Sequence, residues 1–231
     1  MTKGNLYLVP TPLGDTGFAS GIPPMNLEVL QHINTFIVEE LRTARRFLRK
    51  AGYMKDFETV SFHVLNEHTP DHEAIEMLES AGNGHHIGLL SEAGLPCIAD
   101  PGNIIVRLAH RKGIRVIPLT GPSSIMLALM ASGFSGQKFG FHGYLPVKPN
   151  ERIKALRDLE HAVAASDQTQ IFIETPYRNL AMLESIVKTC HPNLMLCIAA
   201  DLTLETEWIR SQPIRDWKNQ KPDLHKRPAV F

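Results

Sequence analysis

Two carboxylates, Glu92 and Asp100, sit in the run Ser91-Glu92-Ala93-Gly94-Leu95-Pro96-Cys97-Ile98-Ala99-Asp100-Pro101-Gly102. An apolar stretch over 87–90 precedes this run, and a helix-like pattern begins near Asn103. That order marks the carboxyl end of a buried strand in an α/β domain, the place where ligands bind. Gly94 and Gly102 allow close approach of backbone to a ligand, and Pro96 and Pro101 stiffen the turn. The two acids add acceptors to a crevice otherwise apolar. An ordinary strand-to-helix turn uses the same glycines and prolines, so the run is a candidate on chemistry alone.

Other residues add to it. A carboxylate beside a hydroxyl can take its proton, which makes Glu39, Glu40, Asp100 and Glu174 candidate bases. Taken singly, each reads more readily as a helix-start acid, a turn acceptor or an exposed charge. Arg42 and Arg178 could clamp a phosphate through two parallel hydrogen bonds, or Arg178 could pair with a nearby acid. Ser123 and Ser124 open a predicted helix after Thr120-Gly121-Pro122, where free N–H groups attract anions. A serine there also serves as a simple cap. Histidines 63, 68 and 72 invite a metal reading, but their spacing fits no zinc motif. A solvated loop before a helix capped by Thr69 or Asp71 is the alternative. Arg42, Arg45, Arg46, Arg49 and Lys50 recur at three and four residues, enough to follow RNA phosphates or to form a solvated helix face. Six basic residues over 210–227, with Trp208 and Trp217 nearby, add a weak suggestion of RNA binding.

The elements that must position these groups alternate between strand-length apolar runs and longer amphipathic ones, the pattern of an α/β layer structure. Strands are expected at 6–9, 35–38, 59–64, 87–90 and 115–119, with helices over 39–48, 71–81 and 104–110. Further strands are expected at 140–145, 170–174, 194–199 and 229–231, with extended chain over 201–209. Helices should cover 124–132, 151–161 and the stretch up to 188. The change of rhythm after Leu119 suggests two domains, 1–119 and 120–231. Four turns, 10–14, 91–102, 120–124 and 174–178, would then lie at strand ends.

Composition excludes several classes. The chain has 231 residues, 43% of them hydrophobic, enough to bury a sizeable core. Its 24 basic and 24 acidic residues cancel, so binding to nucleic acid through net charge is disfavoured, though a local patch is not. The three cysteines, 97, 190 and 197, lack metal-type spacing and read as reduced thiols. Residues 1–5 lead into a strand without the apolar core of a signal peptide, so a cytoplasmic location is expected. A P-loop, a G-x-G-x-x-G turn after the first strand and a G-x-S-x-G elbow are all missing from the sequence.

Taken together, Leu6-Tyr7-Leu8-Val9-Pro10-Thr11-Pro12-Leu13-Gly14, Ser91-Glu92-Ala93-Gly94-Leu95-Pro96, Asp100-Pro101-Gly102, Gly121-Pro122-Ser123-Ser124 and Glu174-Thr175-Pro176-Tyr177-Arg178 resemble the tetrapyrrole methylase superfamily. Within it they look like the branch that methylates a cytidine ribose 2′-hydroxyl in small-subunit ribosomal RNA. The resemblance covers nearly the whole chain, in order. It implies two α/β domains, S-adenosyl-L-methionine held in the cleft between them, a homodimer, and ribosomal RNA or the small ribosomal subunit as substrate. Carried over residue by residue, it makes Leu13, Gly14, Glu92, Leu95, Ser123, Ser124, Glu174 and Leu202 the cofactor contacts. It also turns His63, Asn66 and Glu67 toward the substrate. The chain departs from the branch where Glu92 and Leu95 replace Asp and Thr, where Glu40-Leu41 replaces Asp-Thr, and where 200–204 lacks two basic groups. Methylation of a tetrapyrrole or another small molecule, and a cofactor-binding relative without catalysis, are the competing readings.

Overall fold

The computed structural model describes residues 2–18, 21–220 and 222–231. The chain folds as two units, residues 1–123 and 124–231.

Unit 1 is built on five parallel strands: β1 (Leu6–Val9), β2 (Thr35–Val38), β3 (Ser61–Val64), β4 (Ile87–Leu90) and β5 (Val116–Pro118), in the order β3-β2-β4-β1-β5. All four residues of β2 and of β4 are buried, as expected of central strands covered on both faces. The register Leu6↔Ile87 to Val9↔Leu90 holds β4 against β1, and Thr35↔Ile87 to Ile37↔Leu89 holds it against β2. Gly88 is needed inside β4, because a Cβ there would stand 2.8 Å from the Phe36 ring.

One face of this sheet packs Leu6, Ile37, Ile87 and Leu89 against α3 (Asp71–Glu76), α4 (Glu79–Gly82) and α5 (Asn103–Arg111). The other packs Val9, Phe36, Val38 and Leu90 against α1 (Pro24–Leu30) and α2 (Leu41–Lys50). Because every strand runs the same way, the carboxyl ends of all five emerge on one rim.

Unit 2 is a mixed sheet of β6 (Phe139–Tyr144), β7 (Thr169–Glu174), β8 (Met195–Ala200), β9 (Trp208–Pro213) and β10 (Ala229–Val230), ordered β6-β7-β10-β8-β9. β6 and β7 are parallel; β10 is antiparallel to both β7 and β8, and β9 is antiparallel to β8. Helices α6 (Ser124–Ser132), α7 (Pro149–Ser166), α8 (Asn179–Thr189) and α9 (Ile214–Trp217) complete the unit. Its core gathers Leu156, Phe172, Met182, Ile198, Trp217 and Phe231.

Several expectations change. The helix expected over 39–48 starts at Leu41, so Glu39 lies just after β2 and Glu40 is the N-cap. The helix expected over 71–81 is two short helices separated at Met77–Leu78, and neither Thr69 nor Asp71 caps the first: its N-cap is Pro70, without a side-chain bond. The Thr69 hydroxyl instead accepts from the Asn66 N–H at 2.9 Å. The extended chain expected over 201–209 is a turn, with Asp201 and Thr203 at φ 52° and 74°, before β9 folds back on β8. The two tryptophans belong to the core of unit 2, Trp217 within it and Trp208 packed against it. Trp217 is 1% exposed, donates to the Leu196 carbonyl at 3.3 Å, and meets the Trp208 ring edge-on at 6.0 Å. Among the described residues no group of acids, histidines or cysteines is arranged to hold a metal ion. Among the described residues no helix is long and apolar enough to cross a membrane either.

Candidate functional site

The turns leaving β1, β4 and β5 are locked together at the rim of unit 1. Thr11 and Gly94 exchange backbone hydrogen bonds at 3.0 and 3.1 Å, forming a bridge between the first two turns. The Ser91 hydroxyl donates to the Gly94 carbonyl at 2.7 Å and lies 3.4 Å from the Thr11 hydroxyl. Gly94 has φ +78°, and a Cβ on it would press on Leu13 at 3.0 Å and on the Pro122 carbonyl at 3.3 Å. The third turn is closer still: a Cβ on Gly121 would fall 2.3 Å from Pro10 Cβ. Absent side chains therefore let three separate turns share one small volume.

Beside them lies a cavity of about 310 Å³ lined by Leu13, Gly14, Thr43, Arg46, Phe47 and Glu92, among others. Its floor is one face of α2, which exists as a helix here because the Glu40 carboxylate accepts from the N–H groups of Arg42 (3.0 Å) and Thr43 (2.7 Å). Thr43 was not singled out from the sequence, and Arg46 and Lys50 were read only as part of a basic stripe. Their spacing of three and four residues, facing the same way as Phe47, was the available signal.

Three acids converge at this rim. Glu39 leaves the end of β2, and Glu92 and Asp100 lie in the run that follows β4. The Glu92 carboxylate accepts from the Thr43 hydroxyl at 2.7 Å. Asp100 accepts from the N–H groups of Cys97 (2.7 Å) and Gly102 (2.9 Å), which folds the loop around it. Cys97 and Ala99 pay for that fold with φ of 68° and 62°, values rare outside glycine. Glu39 is half-buried. Burial raises its pKa above the usual carboxylate range, the charges of Asp100 and Glu92 raise it further, and the Glu92 N–H partly opposes them. Burial likewise lifts Asp100, against its two N–H donors. Burial also pushes the Cys97 thiol up to about 12, so it is no thiolate nucleophile at neutral pH.

The sequence candidates therefore separate. Leu13, Gly14 and Glu92 line one cavity, with Glu39 and Asp100 electrostatically coupled beside it. Leu95 is half-buried in the same turn, and Ser123 ends unit 1 just after Gly121-Pro122. Glu40 has both oxygens engaged in capping, which leaves it a structural acid. Arg42 is exposed on the first turn of α2.

Ser124, Glu174, Arg178 and Leu202 belong to unit 2. Ser124 begins α6, and Leu202 is buried in the turn after β8. Arg178 does not hold a free clamp outward: its Nε donates to Glu174 Oε1 at 2.8 Å and to the Thr175 hydroxyl at 3.1 Å, and its Nη2 bonds the same carboxylate oxygen. The Thr175 N–H adds a third donor to Glu174 Oε1, at 2.6 Å. Glu174 Oε2 is buried and has no hydrogen-bond partner among the described residues.

The basic stripe also divides. The Arg49 guanidinium stacks over Phe57 at 4.0 Å, and Arg45 lies over Phe62 at 5.3 Å, so both are committed to aromatic faces. Lys50 pairs with Asp15. Of the segment read as a loop over 63–72, His63 lies in β3, where burial lowers its pKa, and Asn66, Glu67 and His68 are exposed in the turn that follows.

Comparison with known proteins follows the same segments. A family model described as Tetrapyrrole (Corrin/Porphyrin) Methylases matches residues 5–217. A ribosomal RNA small subunit methyltransferase I of Escherichia coli O157:H7 is 34% identical over 233 residues, covering 100% of this chain and 77% of the relative. A protein of the same name from Xylella fastidiosa is 34% identical over 202 residues, covering 87% and 70%. Among solved structures, the methyltransferase CobJ superposes with a TM-score of 0.65 over 98% of this chain and 92% of its own, at 18% identity. That likeness speaks to the fold.

Proposed function

This chain belongs to the tetrapyrrole (corrin/porphyrin) methylase family and is a methyltransferase, and we propose that it moves a methyl group from S-adenosyl-L-methionine to a ribose 2′-hydroxyl of cytidine in small-subunit ribosomal RNA. The observation that carries the acceptor is the similarity, across this whole chain and about three quarters of their length, to relatives named for that class of RNA. The CobJ likeness, at 18% identity, does not weigh toward a small-molecule acceptor.

The rim of unit 1 fits the donor chemically. Glu39, Glu92 and Asp100 repel one another, and a cation beside them relieves that repulsion. Leu13, Leu95 and the Ser91–Gly94 backbone offer apolar surface and hydrogen bonds for the rest of such a molecule. Ser123, Ser124, Glu174 and Leu202 are proposed as further contacts from the family pattern. When bound, the donor supplies an electrophilic methyl carbon on a sulfonium.

The protein's own part is alignment and proton removal. Methyl transfer is an in-line displacement, so holding the hydroxyl at the correct distance contributes most of the acceleration. A ribose hydroxyl is a poor nucleophile until its proton leaves. Glu39 is the base of choice: it is half-buried, its proton affinity is raised, and none of its oxygens caps a helix. Asp100 is held by two N–H groups and keeps the loop in shape. Of the α2 cations, Arg45 and Arg49 lie over aromatic rings and Lys50 pairs with Asp15, which leaves Arg42 and Arg46 as the candidates to meet RNA phosphates. A homodimer acting in the cytoplasm completes the reading, and sedimentation at micromolar concentration tests the dimer.

The test is methyl incorporation from labelled donor into small ribosomal subunits taken from cells lacking this protein. Label on a single cytidine ribose supports the reading; donor binding without transfer to RNA overturns the acceptor. Ser123→Trp should abolish donor affinity by calorimetry, and unchanged affinity would remove this turn from the site.

A further inference from the structure

The cavity beside the joined turns has two unlike walls. Leu13, Gly14 and Glu92 form the wall it shares with the donor's rim, and α2 forms the other through Thr43, Arg46, Phe47 and Lys50. Phe18 lines it as well, its ring 5.5 Å from that of Phe47 and inclined to it by 44°. Both rings are half-buried, so each keeps apolar surface open to a flat guest. At about 310 Å³ the space sits at the low end of small-ligand sites, roughly 300–1,000 Å³, which suits one nucleoside better than a macrocycle.

Lys50 is the last residue of α2, and its ammonium reaches across to Asp15 in the turn after β1. Both side chains line the cavity, and both stay open to solvent, at 50% and 87%. The Lys50 hydrogen bond and charge, with the Arg46 charge behind them, hold the Asp15 carboxyl below the usual carboxylate range. At neutral pH it accepts only. An ammonium has three N–H donors and a carboxylate about four acceptor positions, so neither group is used up by the other. An exposed pair of this kind adds little to stability. What it supplies is a fixed order, an acceptor beside a donor.

That order can be read by a base. The hydrogen-bonding edge of cytosine presents an amine donor, then the N3 acceptor, then the O2 acceptor. Uracil presents an acceptor, then a donor, then an acceptor. The Asp15 carboxylate beside the Lys50 ammonium complements the first order and sets like against like in the second. Adenine matches the first two groups and lacks the third.

We propose that this cavity seats the base of the acceptor nucleotide, with Phe18 and Phe47 holding its face and the Asp15–Lys50 pair selecting cytosine over uracil. The inference rests on the methyl-transfer reading and deepens it, by naming the residues that choose the nucleotide. Asp15 accepts from the exocyclic amine, and Lys50 donates to N3 and O2. A base enters only when unstacked, which is how single-stranded RNA is read: aromatic side chains on the face, polar ones on the edge. With the base against α2, the ribose lies toward Glu92, whose charge reaches Glu39. Arg46 stays available for a phosphate.

The test compares cytidine and uridine 5′-monophosphates, whose ribose and phosphate are common and cancel, titrated into the whole chain and followed by NMR. The parent should bind the cytidine nucleotide about tenfold more tightly. Asp15→Lys combined with Lys50→Asp keeps the pair and reverses its order, so the preference should turn toward the uridine nucleotide with Tm unchanged. Asp15→Asn, whose amide both donates and accepts, should bring the two affinities together. Equal binding by the parent, or a preference that neither variant moves, would overturn the proposal. Methyl transfer to ribosomal subunits is measured in parallel. Cytidine preference without transfer would contradict the methyl-transfer reading and leave the base site standing, whereas transfer to a ribose with no base preference would remove the base site alone.

Discussion

Glu39, the first residue after β2, and Glu174, the last residue of β7, meet opposite fates. Glu39 leaves a fully parallel sheet, whose strands all deliver their carboxyl ends to one rim, and it meets two more acids there. Glu174 leaves a mixed sheet and meets Arg178 four residues on, which takes one of its oxygens. The first arrangement accumulates negative charge and raises a proton affinity; the second neutralises the charge locally. A parallel rim thus concentrates reactivity, whereas an acid with its own internal cation contributes shape and stability first.

That contrast can be broken at several points. The largest effect expected is kinetic: Glu39→Gln should lower kcat about 10²-fold or more with KM little changed, measured by methyl incorporation into ribosomal subunits. A loss confined to KM would make Glu39 a binding group only. Next is Arg178→Met, which strands the buried Glu174 carboxylate. It should cost about 3 kcal/mol in urea unfolding, and Glu174→Gln on top of it should recover most of the loss. If the single change were neutral, Glu174 would not depend on its internal cation. Gly121→Ala forces a Cβ against Pro10 and should cost about 2 kcal/mol while loosening the three joined turns.

A smaller, pH-dependent effect sharpens the same comparison. Because Glu39 binds its proton more tightly folded than unfolded, its contribution to stability is complete below the unfolded carboxylate pKa. That contribution is lost as pH rises through the raised folded value. Glu39→Gln should therefore match the parent in Tm at acid pH and exceed it at neutral pH. The smallest effect belongs to Lys50→Gln: the exposed pair with Asp15 should leave Tm unchanged within error.

Unit 1 was nearly transparent in the sequence, for a physical reason. Its strands are buried on both faces, so Thr35–Val38 and Ile87–Leu90 stand out as continuous apolar runs between polar turns. Unit 2 hid more. β9, Trp-Ile-Arg-Ser-Gln-Pro, has one half-exposed face and no clean alternation, and α9 is a single turn. The helix α1 begins at Pro24 after Pro23, and two prolines read as a turn although proline suits a first helical position. At the site, residue types and order were readable, but roles were not. Glu39 and Glu40 are neighbours in the chain, and only the entry into α2 decides that Glu40 caps the helix while Glu39 stays with the acids of the rim. The commitments of Arg45 and Arg49 to Phe57 and Phe62 join a helix to a distant strand, which spacing on the helix cannot reveal.

The pH dependence of single-turnover methyl transfer to ribosomal subunits, run for the parent and for Glu39→Gln, bears most directly on the acid rim as the reaction centre. The parent rate should climb with pH through a pKa above that of an ordinary carboxylate and then level, and the variant should be slow and flat across that range. A variant that retains the parent's rate and the same inflection would place the proton acceptor elsewhere.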